Sequence, residues 1–303
     1  MKRLNFFLII LTTLIALSCT AGEQSETAAD SEYPNAELLI SASELSEMLA
    51  DPGNELLLVD ARSETEGGVI PGAIHFPAVS SLVDEDHPID SYLVGPDRFQ
   101  ELMRGIGLDQ DDNVIIYDGG NALAAARLFY ALDYYGFSNA SILNGGIQAW
   151  DEMNGTLSES ASTSQEGTFE ASAEETLMCD FDYVVEASQS DNKVIFDVRS
   201  EEEYAGEVER AAKSGRIPNA AHLEWSNVLE SEGVPYFLPA DSIQAKFSSR
   251  GITPDKEVIP HCQSNVRGSH AYFTLRLMGY DSVRPYEGSW VDYGNREGAT
   301  VVQ

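Results

Sequence analysis

Between His261 and His270 the chain reads HCQSNVRGSH, directly after the apolar run Val258, Ile259 and Pro260. The nucleophilic form of cysteine is the thiolate, which needs local stabilisation at neutral pH. A tight loop provides it by curling backbone N–H groups round the sulfur, with the N-terminus of a following helix behind them. Here Cys262 ends a strand-like run. Gln263, Ser264, Asn265, Val266, Arg267 and Gly268 form the loop, before a helix that the pattern starts near Ser269. Asn265 and Gly268 are best able to take the positive φ that such a curl demands. Arg267 adds a fixed cation and a forked donor for an oxyanion. Two chemistries use a loop of this kind, cysteine-dependent phosphate hydrolysis and the carriage of sulfur on cysteine. A strand-to-helix turn with a chance cysteine is the bland alternative. The tyrosine-phosphatase type of loop has five residues between Cys and Arg, which sizes it for phosphate; this chain has four. The shorter loop suits one added sulfur atom better than a tetrahedral phosphoryl group.

The elements that position this loop occur twice. LLLVDARSETEGGVIPGAIHFPA, from Leu56, matches VIFDVRSEEEYAGEVERAAKSGRIPNAAHLEW, from Val194. NVIIYDGGNALAAARLFYALDYYGFSNASILNGGIQAW, from Asn113, matches EVIPHCQSNVRGSHAYFTLRLMGYDSVRPYEGSWVDYG, from Glu257. Short Val, Ile and Leu runs alternating with helical patterns predict an α/β protein, each half a parallel sheet covered on both faces. Gly136 and Gly279 stand where helix-ending C′ residues belong. Ligands of open α/β sheets bind beyond the carboxyl ends of the strands, which is where Cys262 falls. Asp118 holds that place in the first copy, in a loop one residue longer. A carboxylate cannot carry sulfur, so the first copy is expected to be inactive. The predicted division is 1–19 signal, 20–35 tether, 36–155 first domain, 156–175 polar linker and 176–303 second domain.

The length, 303 residues, fits two domains with a core each, and 43% apolar content is that of a globular chain. A net charge of −32 excludes a basic nucleic-acid footprint. It also repels anions at long range, so an anion site must build its own positive field. MKR followed by LNFFLIILTTLIAL and ALSC, ending at Cys19, resembles a bacterial lipoprotein signal. That predicts export, a lipid on Cys19 and a periplasmic or outer-membrane location. Cys179 is read as a packing residue, no disulfide with Cys262 is expected, and no His/Cys cluster has metal-ligand spacing.

GVIPGAIHFP and GRIPNAAHLEW after DAR and DVR, the loop after Cys262, and YEGSWVDYG near the end carry a family resemblance. From Ala36 to Val301 the chain resembles the two-domain rhodanese sulfurtransferases. The resemblance implies two tandem rhodanese-like domains with the first silent. It also implies a persulfide on Cys262, which takes sulfur from a small anionic donor and passes it to cyanide or a thiol without a cofactor. In that family thiosulfate enzymes carry basic loop residues, and mercaptopyruvate enzymes read Cys-Gly-Ser-Gly-x-Thr. Ser264 fits the second group and Arg267 the first; Arg267 favours thiosulfate. A non-enzymatic persulfide carrier or sensor is the alternative of another class. Arg199 and Arg216 are further candidates for the substrate mouth, against an ion pair of Arg199 with Glu203 or another acid of its segment and a solvated Arg216. Asp197 is read as a loop-fixing residue, His261 and His270 as packing or capping groups, and Trp225 and Trp290 as core or cleft walls.

Overall fold

The computed structural model describes residues 33–303; the signal-like segment, Cys19 and the tether up to Ser31 and Glu32 lie outside the described residues. The first half runs through β1 (Leu39–Ile40), α1 (Ala42–Ala50), β2 (Leu57–Asp60), β3 (Ile74–His75), α2 (Ala78–Ser81), α3 (Pro96–Gly105), β4 (Val114–Tyr117), α4 (Leu123–Tyr134), β5 (Ala140–Leu143) and α5 (Gly146–Glu152). Its strands are all parallel, in the order β1-β5-β4-β2-β3. Successive strand residues point to opposite faces, and the packing follows. Leu58 and Ile115 meet Leu45, Ile147 and Trp150 of α1 and α5. Val59 and Ile116 meet Phe99 and Met103 of α3, together with α4. Helices thus cover both faces, as expected.

The second half repeats this with α6 (Phe181–Ala187), β6 (Lys193–Asp197), α7 (Glu201–Ala205), β7 (Ala221–His222), α8 (Ala240–Ser248), β8 (Glu257–His261), α9 (Val266–Leu277) and α10 (Ser289–Tyr293). β7, β6 and β8 are parallel neighbours. Parallel bridges Val258–Val283 and Cys179–Tyr286 continue the sheet where the first half has β5 and β1. Asp60 pairs with Tyr117 in one sheet and Asp197 with His261 in the other. The next residues, Asp118 and Cys262, therefore hold the same place at the carboxyl edge. Gly136 and Gly279 follow α4 and α9 with φ of 84° and 74°.

Pro260 lies inside β8, opposite Phe196. In this ladder Val258 N donates to Ser282 and Tyr286 N donates to Pro260, so residue 260 would donate to the carbonyl of Arg284. Proline has no N–H. The Arg284 carbonyl instead accepts the Cys179 thiol at 3.4 Å. Cys179 is buried among core residues, and it and Cys262 are both free thiols.

The inner faces of both sheets share one core, with α4 against α9 at its centre. Phe129 meets Phe273 edge-on at 5.0 Å and Tyr130 meets Tyr272 at 5.1 Å between ring centroids. Asp133 accepts from Tyr272 and Arg276 at 2.5 Å each. Two loops reach across reciprocally. Leu93 N donates to Glu287 at 2.9 Å, and Phe237 N donates to Asn144 at 3.1 Å. Leu93 and Phe237 close equivalent antiparallel bridges with Val83 and Leu229.

Residues 156–175 join the halves but do more than link them. Ser158 bridges Val69, Ser162 bridges Ile74, and Ser172 N donates to Tyr135 at 3.0 Å. Phe169 is wholly buried, edge-on to Phe99 and Phe137 at 6.0 Å each. Truncating a buried Phe costs about 3–5 kcal/mol through lost transfer energy and the cavity left behind. Phe169→Ala is expected to lose that much by urea denaturation; a loss below about 1 kcal/mol would return the segment to a mere tether.

Candidate active site

Asp118 shows what the carboxyl edge of this sheet is built to hold. Its Oδ1 accepts from the N–H groups of Gly120 and Ala122 at 2.8 and 3.1 Å. Its Oδ2 accepts from those of Ala124 and Ala125 at 3.0 and 3.3 Å. Ala122, left-handed with φ 59°, turns the backbone so that loop and helix N–H groups converge. Burial raises the Asp118 pKa against the pull of these four bonds. The first cradle is filled by its own side chain.

Cys262 occupies the corresponding place and is 1% exposed. Asn265 makes the left-handed turn that Ala122 makes in the first copy, with φ 57°. Because of that turn α9 starts at Val266, three residues before the expected Ser269. Val266, Arg267 and Gly268 therefore belong to its first turn, and the loop proper is Gln263, Ser264 and Asn265. The start of α10 pins the loop. Cys262 N donates to Ser289 Oγ at 3.3 Å, and the carbonyls of Cys262 and Gln263 accept from Trp290 and Val291 at 2.9 and 3.0 Å. Gly268 is not a positive-φ residue, contrary to expectation. It is glycine because a Cβ there would lie 2.1 Å from Asn265 Oδ1. Ser264 and Val266 are half-buried beside it.

Arg267 donates to both carboxylate oxygens of Glu203, at 2.6 and 3.1 Å. Glu203 is held by a capping box with Ser200 at the start of α7. Burial would raise the Glu203 pKa, but the Arg267 bonds outweigh it and hold the carboxyl below its ordinary value. Burial likewise works to lower the Arg267 pKa, and Glu203 together with the neighbouring Cys262 raises it on balance. Arg210 stands 3.7 Å from the same carboxylate, its side chain 58% exposed, and its carbonyl accepts from Gln263 Nε2 at 3.2 Å. Two guanidinium groups thus share the Glu203 carboxylate.

The other candidates lie elsewhere. Arg199 does not line the mouth. It is 1% exposed, bonded to Asp197 at 2.6–3.2 Å and to the Gly215 carbonyl at 2.8 Å, and stacked over Trp290. Its partner is Asp197 rather than Glu203. Arg216 lies over the Tyr204 ring at 4.7 Å, and its backbone pairs with Val302. Neither arginine is brought to the loop. Burial pushes His261 down to about 4, despite Asp197 Oδ2 at 3.5 Å, and His270 down to about 3, so both are neutral at pH 7. Glu203, Arg210, Glu287 and Arg127 join the site without a motif in the sequence to announce them. The one available signal was a lone arginine in the apolar stretch LAAARLFYAL of α4.

Gly268→Ala must displace Asn265 Oδ1 and with it the 2.5 Å bond from Asn265 Nδ2 to Glu287. The variant is expected to stay folded by circular dichroism while iodoacetamide alkylation of Cys262 slows about tenfold or more; wild-type alkylation would refute this reading of the glycine.

Residues 41–153 and 180–296 each match the family model described as a rhodanese-like domain. The chain is 30% identical over 285 residues to the sulfur carrier protein TtuD of Thermus thermophilus, covering 89% of this chain and 98% of that protein. It is 30% identical over 272 residues to the 3-mercaptopyruvate sulfurtransferase of Escherichia coli, covering 85% and 95%. It is 29% identical over 272 residues to the thiosulfate sulfurtransferase of Azotobacter vinelandii, covering 89% and 98%. The crystal structure of the 3-mercaptopyruvate sulfotransferase SseA from Escherichia coli superposes with a TM-score of 0.74 at 29% identity, over 84% of this chain and 98% of that one. An anaerobic ergothioneine biosynthesis enzyme from Chlorobium limicola has a TM-score of 0.76 at 23% identity, over 89% and 72%, a likeness of fold alone. With the family's domain in both halves and the thiol only in the second cradle, the chain belongs to the rhodanese family as a two-domain sulfurtransferase.

Proposed function

We propose that the chain moves the outer sulfur of thiosulfate to a thiophilic acceptor through a persulfide on Cys262. The observation that carries this reading is the placement of Cys262 where the first copy gathers four backbone N–H groups on an anion, with Arg267 beside it. The Cys262 thiolate attacks the outer sulfur. A new S–S bond forms, the S–S bond of thiosulfate breaks, and sulfite leaves with its electron pair. Cyanide or a thiolate then attacks the outer sulfur of the persulfide and releases Cys262 as thiolate, so no cofactor enters the balance. Arg267 and Arg210, sharing only Glu203, attract a dianionic donor into an otherwise acidic protein. A cysteine only 1% exposed favours slim acceptors such as cyanide or a small thiol.

Steady-state turnover of the purified protein with thiosulfate and cyanide is expected to yield thiocyanate, lost on the order of 10³-fold in Cys262→Ala. Faster turnover with mercaptopyruvate than with thiosulfate would reassign the donor. A one-sulfur adduct on Cys262 by mass spectrometry, without turnover on either small acceptor, would instead favour a carrier that hands sulfur to a protein.

The pattern ending in Cys19 supports a proposal of export and acylation, with the domains in the periplasm or at the outer membrane. The expected tether of residues 20–35 is shorter at its far end, since Tyr33 and Asn35 bond the carbonyls of Leu238 and Arg276. Labelled fatty acid is expected to enter the wild-type chain and not Cys19→Ala; equal labelling would remove the anchor.

A further inference from the structure

Arg127 on α4 is 2% exposed. A guanidinium buried so deeply is costly unless paired, and its partner lies in the other half of the molecule. Arg127 donates to Glu287 Oε1 at 2.7 Å and Oε2 at 3.1 Å. Glu287, itself 1% exposed, also accepts from Leu93 N at 2.9 Å and from Asn265 Nδ2 at 2.5 Å. Asn265 is the left-handed residue on which the sulfur loop turns. The other end of Asn265 is held as well. Its carbonyl accepts from Ser269 Oγ at 2.6 Å, and that hydroxyl lies 3.5 Å from Arg127. Both anchors of the turn thus rest on groups that Arg127 touches.

The repeat provides an internal control. His270 is the fifth residue of α9, as Arg127 is of α4, and Asn144 stands where the second half has Glu287. At the thiol-free site those two positions hold a neutral ring, packed on Phe237 at 5.3 Å, and an amide. An ion pair that served only to join the halves would be as useful on either side. It occurs on the side that carries the sulfur. Arg267 on its own helix and Arg127 from across the interface both interact electrostatically with Cys262. Glu203 and Glu287 are paired to those two, and Asp197 is paired to Arg199.

We propose that Arg127, from the thiol-free half, is a positioning residue for the sulfur-bearing loop: through Glu287 and Asn265 it fixes the turn that faces backbone N–H groups towards Cys262. The silent domain is then a working part of the active site. This rests on the sulfur-transfer reading, but its alkylation readout does not need a sulfur donor. Alkylation of Cys262 by iodoacetamide is followed from pH 5 to 9, with Cys262→Ala as the blank, in wild type, Arg127→Met, Arg127→Lys and the double variant Arg127→Met/Glu287→Gln. Arg127→Met is expected to alkylate about tenfold more slowly at pH 7, with its midpoint moved up by about one unit. Arg127→Lys should recover most of that rate. The double variant buries no unpaired charge, so it carries the test if Arg127→Met fails to fold; it too should stay slow and show kcat lowered more than KM is raised. A folded double variant with wild-type midpoint and kcat would overturn the proposal, as would Arg127→Lys no faster than Arg127→Met. Should wild type make no thiocyanate, the proposed function fails while the alkylation comparison still decides this one.

Discussion

A negative charge on sulfur inside a protein of net charge −32 has to be stabilised within a few ångströms. Water and salt screen everything farther than about 8 Å, and what survives screening here is repulsive. The second half sets Arg267 and Arg127 against Cys262, each tied to its own carboxylate. The pairing serves geometry as much as charge. A bidentate carboxylate fixes where a guanidinium points, and Glu203 and Glu287 are themselves fixed by a helix cap and by Leu93 N.

Much of the surrounding structure follows from holding one turn still. Asn265 needs φ 57°, so its side chain curls back over the helix, so residue 268 has no room for a Cβ. The start of α10 clamps the carbonyls of Cys262 and Gln263. Asp118 solves the same geometric problem in the first half by supplying the anion from within, which satisfies the N–H groups and closes the site.

The repeat, the parallel sheets and the equivalent strand-end places of Asp118 and Cys262 were legible in the sequence, because burial on two faces and strand-end placement leave periodic and local traces. Arg267 was legible from spacing alone. Its partner was not, since Glu203 and Arg267, 64 residues apart, meet only through the tertiary fold, and sequence proximity pointed Glu203 towards Arg199. Arg199 and Arg216 looked available because nothing in DVRS or GRIP announces that the Asp197 carboxylate and the Tyr204 ring already occupy them. Gly268 suggests freedom of φ by its type alone, whereas the reason for it is space. Phe169 sat alone among polar residues, where no period can reveal a core position.

The reciprocal loops across the interface have a further consequence. Leu93 reaches Glu287 while Phe237, its counterpart, reaches Asn144, the counterpart of Glu287. Residue i meeting j while the equivalent of i meets the equivalent of j is the signature of an isologous contact, the kind that makes twofold homodimers. The molecule has the geometry of a dimer written into one chain. Fusion removes the demand that both subunits be identical: one seat could give up its thiol for Asp118, and its helix could carry an arginine that only the other seat requires. A symmetric dimer would have had to place that arginine, and that thiol, in both.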